Sequence, residues 1–356
     1  MNLLFALSQI EVTGAETYAL TLASALNQRD HRITFISDTL RHFAPHQFIP
    51  VPIHAGNHRY FSRFQNVLTL RKILRENNIH LIHSHSRAAN LVSTFAKGKL
   101  PMVVSVHGRW RNHFAFRALP CLGEKTIAVC PYLQRYLTDE IGIAPKRIRM
   151  IPNGIDTTLF SPSATVNAAP PRLLFVGRFS GQKGNAIRFL IQKIFPEILR
   201  EVPELEIEIA SSAPSPKDTA LIHRFNEIAN RSAIKVLESV LDMPNCYRNA
   251  TVVLGSGRVA MEAMACAKPI VTIGESSAPG LLTETKFDAA FDSNFGDCGP
   301  WNLFQNDNHL ASDITNVLKN SQLQKELSIF GRQKALSFFD ATKVAAQVEQ
   351  IYRSLV

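Results

Sequence analysis

The 356-residue chain has little cysteine, and what it has is scattered. Cys121, Cys130, Cys246, Cys266 and Cys298 are odd in number, never form a CxxC pair and fall mostly within apolar runs. That argues against a disulfide framework and against a zinc site. Long apolar runs are missing as well. No stretch reaches the roughly 18 residues that a membrane-spanning helix needs, so none is expected. The opening MNLLFALSQIEVTG has neither a basic start nor a small-residue cleavage site. It reads as a buried first strand rather than a signal peptide, and a reducing cytoplasm is the expected compartment. Hydrophobic residues make up 46% and charged residues 19%, a mixture that excludes disorder.

Acidic charge is scarce in one half only. Residues 1–156 carry 19 basic and 9 acidic side chains, whereas residues 157–356 carry 20 of each, so the whole net charge of +10 lies in the first half. Ten of the 12 histidines lie there too. A basic half joined to a neutral one points to one domain that faces an anionic surface or polymer.

The length predicts two domains. Short apolar runs alternate with amphipathic segments: LLFAL (3–7), RITFIS (32–37), HLIHS (80–84), PMVVSV (101–106), TIAVC (126–130) and IRMIP (148–152), with helical patterns between them. This alternation is the mark of βαβ units and a parallel sheet, whose strands are covered on both faces and read as continuous apolar runs. The pattern breaks at SPSATVNAAPPR (161–172), an expected linker, and resumes with LLFVG (173–177), LEIEIA (205–210), AIKVLES (233–239), ATVVL (250–254) and KPIVTIG (268–274). The expected fold is α/β: two Rossmann-like, doubly wound parallel-sheet domains facing a central cleft. Ligands of open α/β sheets bind beyond the carboxyl ends of the strands, so chemistry is sought there.

Five segments stand at such ends. In VTGAET (12–17), Gly14 lets the backbone approach a ligand in front of a helix N-terminus, or simply makes a tight turn. In IHLIHSHSRAAN (79–90), His83 and His85 share one face of a strand; without further ligands at metal spacing they read as structural or acceptor-lining, and no metal site is expected. In VVSVHGRWRNHFAFR (103–117), His107 ends a buried strand as a hydrogen-bonding, acid–base or structural group. Arg109, Trp110, Arg111, Phe114 and Arg117 then interleave cations with aromatics, as at a membrane interface or a site for an anionic, lipid-linked acceptor; a core helix with charged flanks fits equally.

In FVGRFSGQKGN (175–185), Arg178 and Lys183 lie among glycines at a helix start, a candidate diphosphate clamp that is not a Walker loop. In ATVVLGSGRVAMEAMACAKPIV (250–271), Gly255 and Gly257 open a helix, and GSGRVA fits GxGxx[GA]. Arg258 opposes the helix dipole there. It would bind a phosphate or pair with Glu262 four residues on, while Glu262 could instead accept from ribose hydroxyls.

Taken in order, these segments resemble the GT-B glycosyltransferases of family 4 along nearly the whole chain. The most specific stretch is IAVCPYLQRYLTDEIGIAPKRIRMIPNGIDTTLFSP (127–162), with its PNGID interdomain signature; LLFVGRFSGQKG resembles the GR-x-x-x-x-KG donor loop, and AMEAMACAKPIV the glutamate-bearing helix. The resemblance implies that Arg178 and Lys183 bind the nucleotide diphosphate, Glu262 the ribose and His107 the donor sugar, and that Gly14 approaches the donor phosphates. It implies a last helix that returns to the first domain. The expected domains are therefore 1–160 plus 341–356 for the acceptor and 173–340 for the donor, with 161–172 between them. One position departs from the pattern. A glutamate is expected eight residues before Glu262, and Leu254 stands there. The carboxylate that contacts the donor sugar in the family is absent, and Gly255, Gly257 and Arg258 would supply backbone donors and a cation instead.

The expected function is transfer of a sugar, with retention, from a nucleotide-diphosphate donor, UDP-linked, to a bacterial envelope glycan or lipid-linked acceptor such as lipopolysaccharide core. No cofactor or metal is required in that reading, no nucleic acid is bound, and the protein works in the cytoplasm at the inner face of the membrane. Two rivals remain: a GT-B scaffold that binds without turnover, prompted by Leu254, and a nucleotide-dependent oxidoreductase, prompted by GSGRVA.

Overall fold

The computed structural model describes residues 1–8, 14–40, 46–53, 59–110, 121–163, 170–299 and 309–356. It divides into two units, Met1–Asp156 with Phe339–Val356, and Thr157–Phe338.

The first unit is built on seven parallel strands: β1 (Asn2–Ala6), β2 (Arg32–Ser37), β3 (Gln47–Pro50), β4 (Leu81–Ser84), β5 (Met102–Val106), β6 (Lys125–Ala128) and β7 (Ile148–Met150). Their order is β3-β2-β1-β4-β5-β6-β7, so the winding reverses between β1 and β4. Helices α1 (Gly14–Asn27), α2 (Arg59–Glu76), α3 (Arg87–Ala96) and α4 (Pro131–Arg135) join them.

The second unit has the strand order β10-β9-β8-β11-β12-β13, with β8 (Arg172–Val176), β9 (Glu206–Ser211), β10 (Ile234–Glu238), β11 (Val252–Gly255), β12 (Ile270–Thr272) and β13 (Gly280–Leu281). Only β13 runs antiparallel among them. The winding reverses between β8 and β11. Its helices are α5 (Gly181–Phe189), which continues through a widened turn into α6 (Phe195–Glu201), then α7 (Pro216–Ile228), α8 (Met243–Asn249), α9 (Arg258–Ala265), α10 (Phe287–Asp292), α11 (Leu310–Lys319) and α12 (Ser321–Lys334).

The last helix, α13 (Ala341–Arg353), packs in the first unit: Val344, Val348, Ile351 and Tyr352 are buried with Leu3, Phe5 and Tyr18. Each such side chain contributes about 1.5–3 kcal/mol on burial. Gly154 of the PNGID signature permits this. A Cβ there would lie 3.1 Å from the Ala341 Cα and 3.3 Å from Val344. Glu349 of α13 accepts from Arg29 at 2.6 Å and contacts His31 at 3.2 Å. Burial pushes its carboxyl up, but bonds from Arg353, Arg29 and His31 outweigh that and leave it at about 2.

The division between units falls before the Pro/Ser/Ala stretch, not within it. Residues 157–161 are tied to the second unit by side chains that lie far along the chain. Arg332 donates to the carbonyls of Thr157, Phe160 and Ala265, and Arg248 to those of Leu159 and Ser161. Ile155, by contrast, bridges to Asp340 in the first unit.

Candidate functional site

In the second unit, the loop that leaves β8 is shaped by close contacts. A Cβ at Gly177 would meet the Phe175 ring at 2.7 Å, and one at Gly184 would meet the Phe179 carbonyl at 2.0 Å. Gly181 adopts φ +61°, where side chains are disfavoured. Phe179 is buried, and its carbonyl accepts from Arg188, which is itself held by Asp218 at 2.7 Å. The two expected phosphate ligands stand on this anchored loop. Arg178 is half exposed and lies 3.5 Å from Glu275. Lys183, in the first turn of α5, pairs with Asp297 at 3.2 Å.

The turn after β11 lies against the same carboxylate. Gly257, at φ +56°, caps α9, and a Cβ on it would come within 2.4 Å of Asp297 Oδ2. The Ser256 hydroxyl donates to Asp297 Oδ1. Lys183, Ser256, Gly257 and Asp297 thus meet at the carboxyl edge of the sheet, beside the β8/β11 reversal.

Of the two readings of Arg258, the local pair is the one present. Arg258 Nε donates to Glu262 Oε1 at 2.7 Å, and both side chains are about nine-tenths buried. Glu262 Oε2 accepts from the Tyr247 hydroxyl at 2.8 Å. Burial, and then the neighbouring Glu262 charge, hold the Tyr247 phenol well above its ordinary pKa, so it stays a donor. Leu254 is fully buried in β11, between Phe175 of β8 and Val271 of β12.

In the first unit, His107 follows β5 and His85 follows β4, and both rings pack on Tyr18 of α1. Ring centroids are 4.8 Å apart for Tyr18–His107, 5.7 Å for Tyr18–His85 and 6.0 Å for His85–His107. His83 is satisfied within the core, with the Tyr352 hydroxyl 2.5 Å from Nδ1 and the Ser105 hydroxyl 2.8 Å from Nε2. Both ring nitrogens of His85 are buried without a hydrogen-bond partner among the described residues, whereas Tyr18 has Ser105, and His107 has Asn153, as a side-chain neighbour.

Burial holds all three imidazoles neutral: His83 is lowered to about 3, His107 to about 4, and His85 well below its ordinary value. Each is therefore a neutral donor–acceptor at pH 7. Among the described residues no group of His, Cys, Asp and Glu could hold a metal ion.

Gly14 is exposed at the start of α1, and a Cβ on it would meet nothing within 4 Å among the described residues. Arg109 pairs with Glu140 at 3.2 Å and lies over the Tyr136 ring, while the Trp110 carbonyl accepts from the Tyr136 hydroxyl at 2.6 Å. Arg111, Phe114 and Arg117 lie outside the described residues. Sequence reasoning missed Asp297, Tyr247, Tyr18 and Asn153. Only Asn153 carried a signal, as part of PNGID.

Two family models match the chain: "Glycosyltransferase Family 4" over residues 12–159 and "Glycosyl transferases group 1" over residues 170–294. An alpha-maltose-1-phosphate synthase of Mycolicibacterium smegmatis is 22% identical over 240 residues, which is 59% of this chain and 58% of that relative, under two thirds of its length. Among solved structures, Anabaena HepE in complex with UDP and glucose superposes with TM-score 0.73 at 17% identity, covering all of both chains. WaaG, a glycosyltransferase involved in lipopolysaccharide biosynthesis, superposes with TM-score 0.68 at 16% identity, covering 98% of this chain and 99% of that one. At such identities the structural likeness establishes the fold, two parallel-sheet α/β domains of the GT-B type.

Proposed function

The chain belongs to the glycosyltransferases of family 4 and group 1, and from that premise we propose that it moves a sugar from a nucleotide-diphosphate donor, UDP-linked, to a bacterial envelope glycan or lipid-linked acceptor of the lipopolysaccharide-core kind. The observation that carries this reading is the cradle at the β8/β11 reversal, where Lys183 stands beside the Gly255–Gly257 turn. Cations at the carboxyl edge of a parallel sheet suit a diphosphate, and Lys183 carries that role because the Gly257 N–H, expected as a backbone donor, is given to the Asn294 carbonyl. UDP is favoured by the likeness to HepE, whose structure holds UDP and glucose, and the acceptor class by the likeness to WaaG.

Breaking the bond between sugar and diphosphate leaves negative charge on the departing phosphate. Lys183 and Arg178 neutralise that charge as it develops, and their worth is greatest in the transition state. Glu262, already aligned by Arg258 and Tyr247, takes ribose hydroxyls. His107, held neutral by burial and beside Asn153, hydrogen-bonds a sugar hydroxyl. Retention is what the family resemblance implies: the acceptor oxygen bonds to the sugar carbon on the face that the diphosphate leaves, the bond from that carbon to the phosphate oxygen breaks, and the acceptor's proton passes to the departing phosphate.

The test is sugar-nucleotide turnover by the purified protein across UDP-, GDP- and ADP-sugars, with Lys183→Ala and Glu262→Ala as comparisons. We expect turnover with a UDP-sugar and a loss in both variants. Equal rates in all three proteins would remove the assigned site, and no turnover with bound UDP would favour a scaffold that binds without transfer.

A further inference from the structure

We propose that Asp297 selects the donor's sugar: its carboxylate accepts hydrogen bonds from sugar hydroxyls while Lys183 takes the diphosphate. This rests on the reading of the second unit as the donor site.

The carboxylate is delivered to the cradle by a segment held in place from two sides. Gly257 N donates to the Asn294 carbonyl at 3.0 Å, and Ser276 N and Ser277 N donate to the Gly296 carbonyl at 2.9 and 3.2 Å. Approach is so close that a Cβ on Gly274 would lie 2.3 Å from the Gly296 carbonyl carbon. Asn294 and Phe295 adopt φ +52° and +59°, uncommon for residues with side chains and costly for a bulky one. Phe295 is fully buried against Phe287 and Phe291, which fixes the bend. Beside Asp297, Asn294 is 3% exposed, and its Oδ1 has no hydrogen-bond partner among the described residues. A strained, well-anchored bend that ends on a carboxylate and a buried orphan amide oxygen is a built feature.

Its chemistry narrows the partner. An ionised carboxylate only accepts hydrogen bonds, and it repels a diphosphate. In a cradle for a nucleotide sugar, hydroxyl groups are what it can receive. Before the donor arrives, Lys183 and Ser256 satisfy it. When Lys183 turns to the diphosphate, the freed lone pairs of Asp297 face whatever is joined to that diphosphate. Strand β11 brings no carboxylate of its own, because Leu254 is buried in the core.

The experiment is calorimetric titration of wild type and Asp297→Asn with UDP, GDP and ADP and with UDP-glucose, UDP-galactose, GDP-mannose and ADP-glucose, followed by turnover with whichever is a donor. Asn is nearly isosteric and can still accept from Ser256. We expect the variant to bind the bare nucleoside diphosphate as well as wild type or better. We expect it to bind the sugar nucleotide at least about 10-fold more weakly, the scale of one hydrogen bond to a charged group. Discrimination between the glucose and galactose epimers should fall with it. Ser256→Ala, which loosens the carboxylate without removing it, should show the same split at smaller size, so a folding defect in one variant does not decide the matter. Parallel weakening of nucleotide and sugar nucleotide, or no change in either, overturns the assignment while leaving the donor site standing. Wild type that binds none of the seven compounds overturns both.

Discussion

The ring cluster of the first unit and the charged cradle of the second occupy equivalent places, each beside the winding reversal of a parallel sheet, yet they treat polar groups in opposite ways. In the cradle every cation the sequence singled out has a carboxylate: Arg178 with Glu275, Lys183 with Asp297, Arg258 with Glu262. In the cluster the groups are uncharged, and both ring nitrogens of His85 are buried without partners among the described residues. A buried orphan costs about 1–3 kcal/mol, and water or another polar group that reaches it removes that cost. Paired cations suit exchange of their carboxylate for an anion, and a neutral imidazole suits a neutral polar partner. The net charge of +10 lies in the sequence of the first unit, but the groups at its strand ends do not carry it.

The sharpest way to break this contrast is to remove one charge from the cradle. Lys183→Ala should lower kcat/KM by about 10²–10³-fold, the usual scale for losing a group aimed at developing negative charge. His107→Ala should cost less, because it removes a neutral hydrogen bond. A larger loss at His107 than at Lys183 in steady-state kinetics would reverse the roles given to the two regions.

Acid offers the next largest effect, and it acts on the first unit. The three histidines at its strand ends are held below their ordinary value by burial, and His31 and His46 are lowered by it as well, so the unfolded chain binds more protons between pH 6.5 and about 4. Stability from their neutral forms is complete above pH 6.5 and is lost as pH falls through that window, at about 1.4 kcal/mol per pH unit for each histidine. Thermal melts from pH 7 to pH 5 should fall, and His85→Asn should flatten the dependence. A melting temperature constant over that range would mean that the cluster is open to solvent.

How much of this could be read from the sequence follows from the same contrast. Central strands such as PMVVSV and LLFVG are buried on both faces and announce themselves as apolar runs. Two short edge strands do not: β3 (QFIP) is partly exposed with only Phe48 and Ile49 apolar before a proline, and β13 has two residues. Lys183 and Arg258 were legible because glycines mark their turns. Their partners were not all so. Glu262 lies four residues from Arg258, but Asp297 lies 114 from Lys183, in a stretch with no period, and Tyr352 lies 269 from His83. Such pairs exist only once distant elements share a sheet edge. The division between units before Thr157 has the same origin, since Arg248 and Arg332 hold residues 157–161 from far along the chain.

Glycine substitutions test the cradle's packing at smaller scale. Gly257→Ala places a Cβ at positive φ and against Asp297, so it should destabilise by about 1–3 kcal/mol and weaken nucleotide binding. Gly14→Ala meets no described residue within 4 Å and should shift the melting temperature little. Equal effects at the two sites in melts and nucleotide titrations would remove the distinction between a tight cradle turn and a free helix start.

The smallest effect separates the first unit's surface from its cluster. If its positive charge serves association with an anionic surface, the attraction is carried by solvated side chains such as Lys72, and not by the buried rings. Charges of that kind are screened over about 10 Å at 0.1 M salt and about 3 Å at 1 M. Binding to vesicles containing anionic phospholipid should therefore be measurable at low ionic strength and weaken severalfold by about 0.5 M salt, whereas UDP binding should change less because its cations are partly buried. His85→Asn should leave vesicle binding unaltered at both salt concentrations. Vesicle binding that is indifferent to salt, or that tracks the His85 substitution, would show that surface and cluster act together, and the division drawn between them would fail.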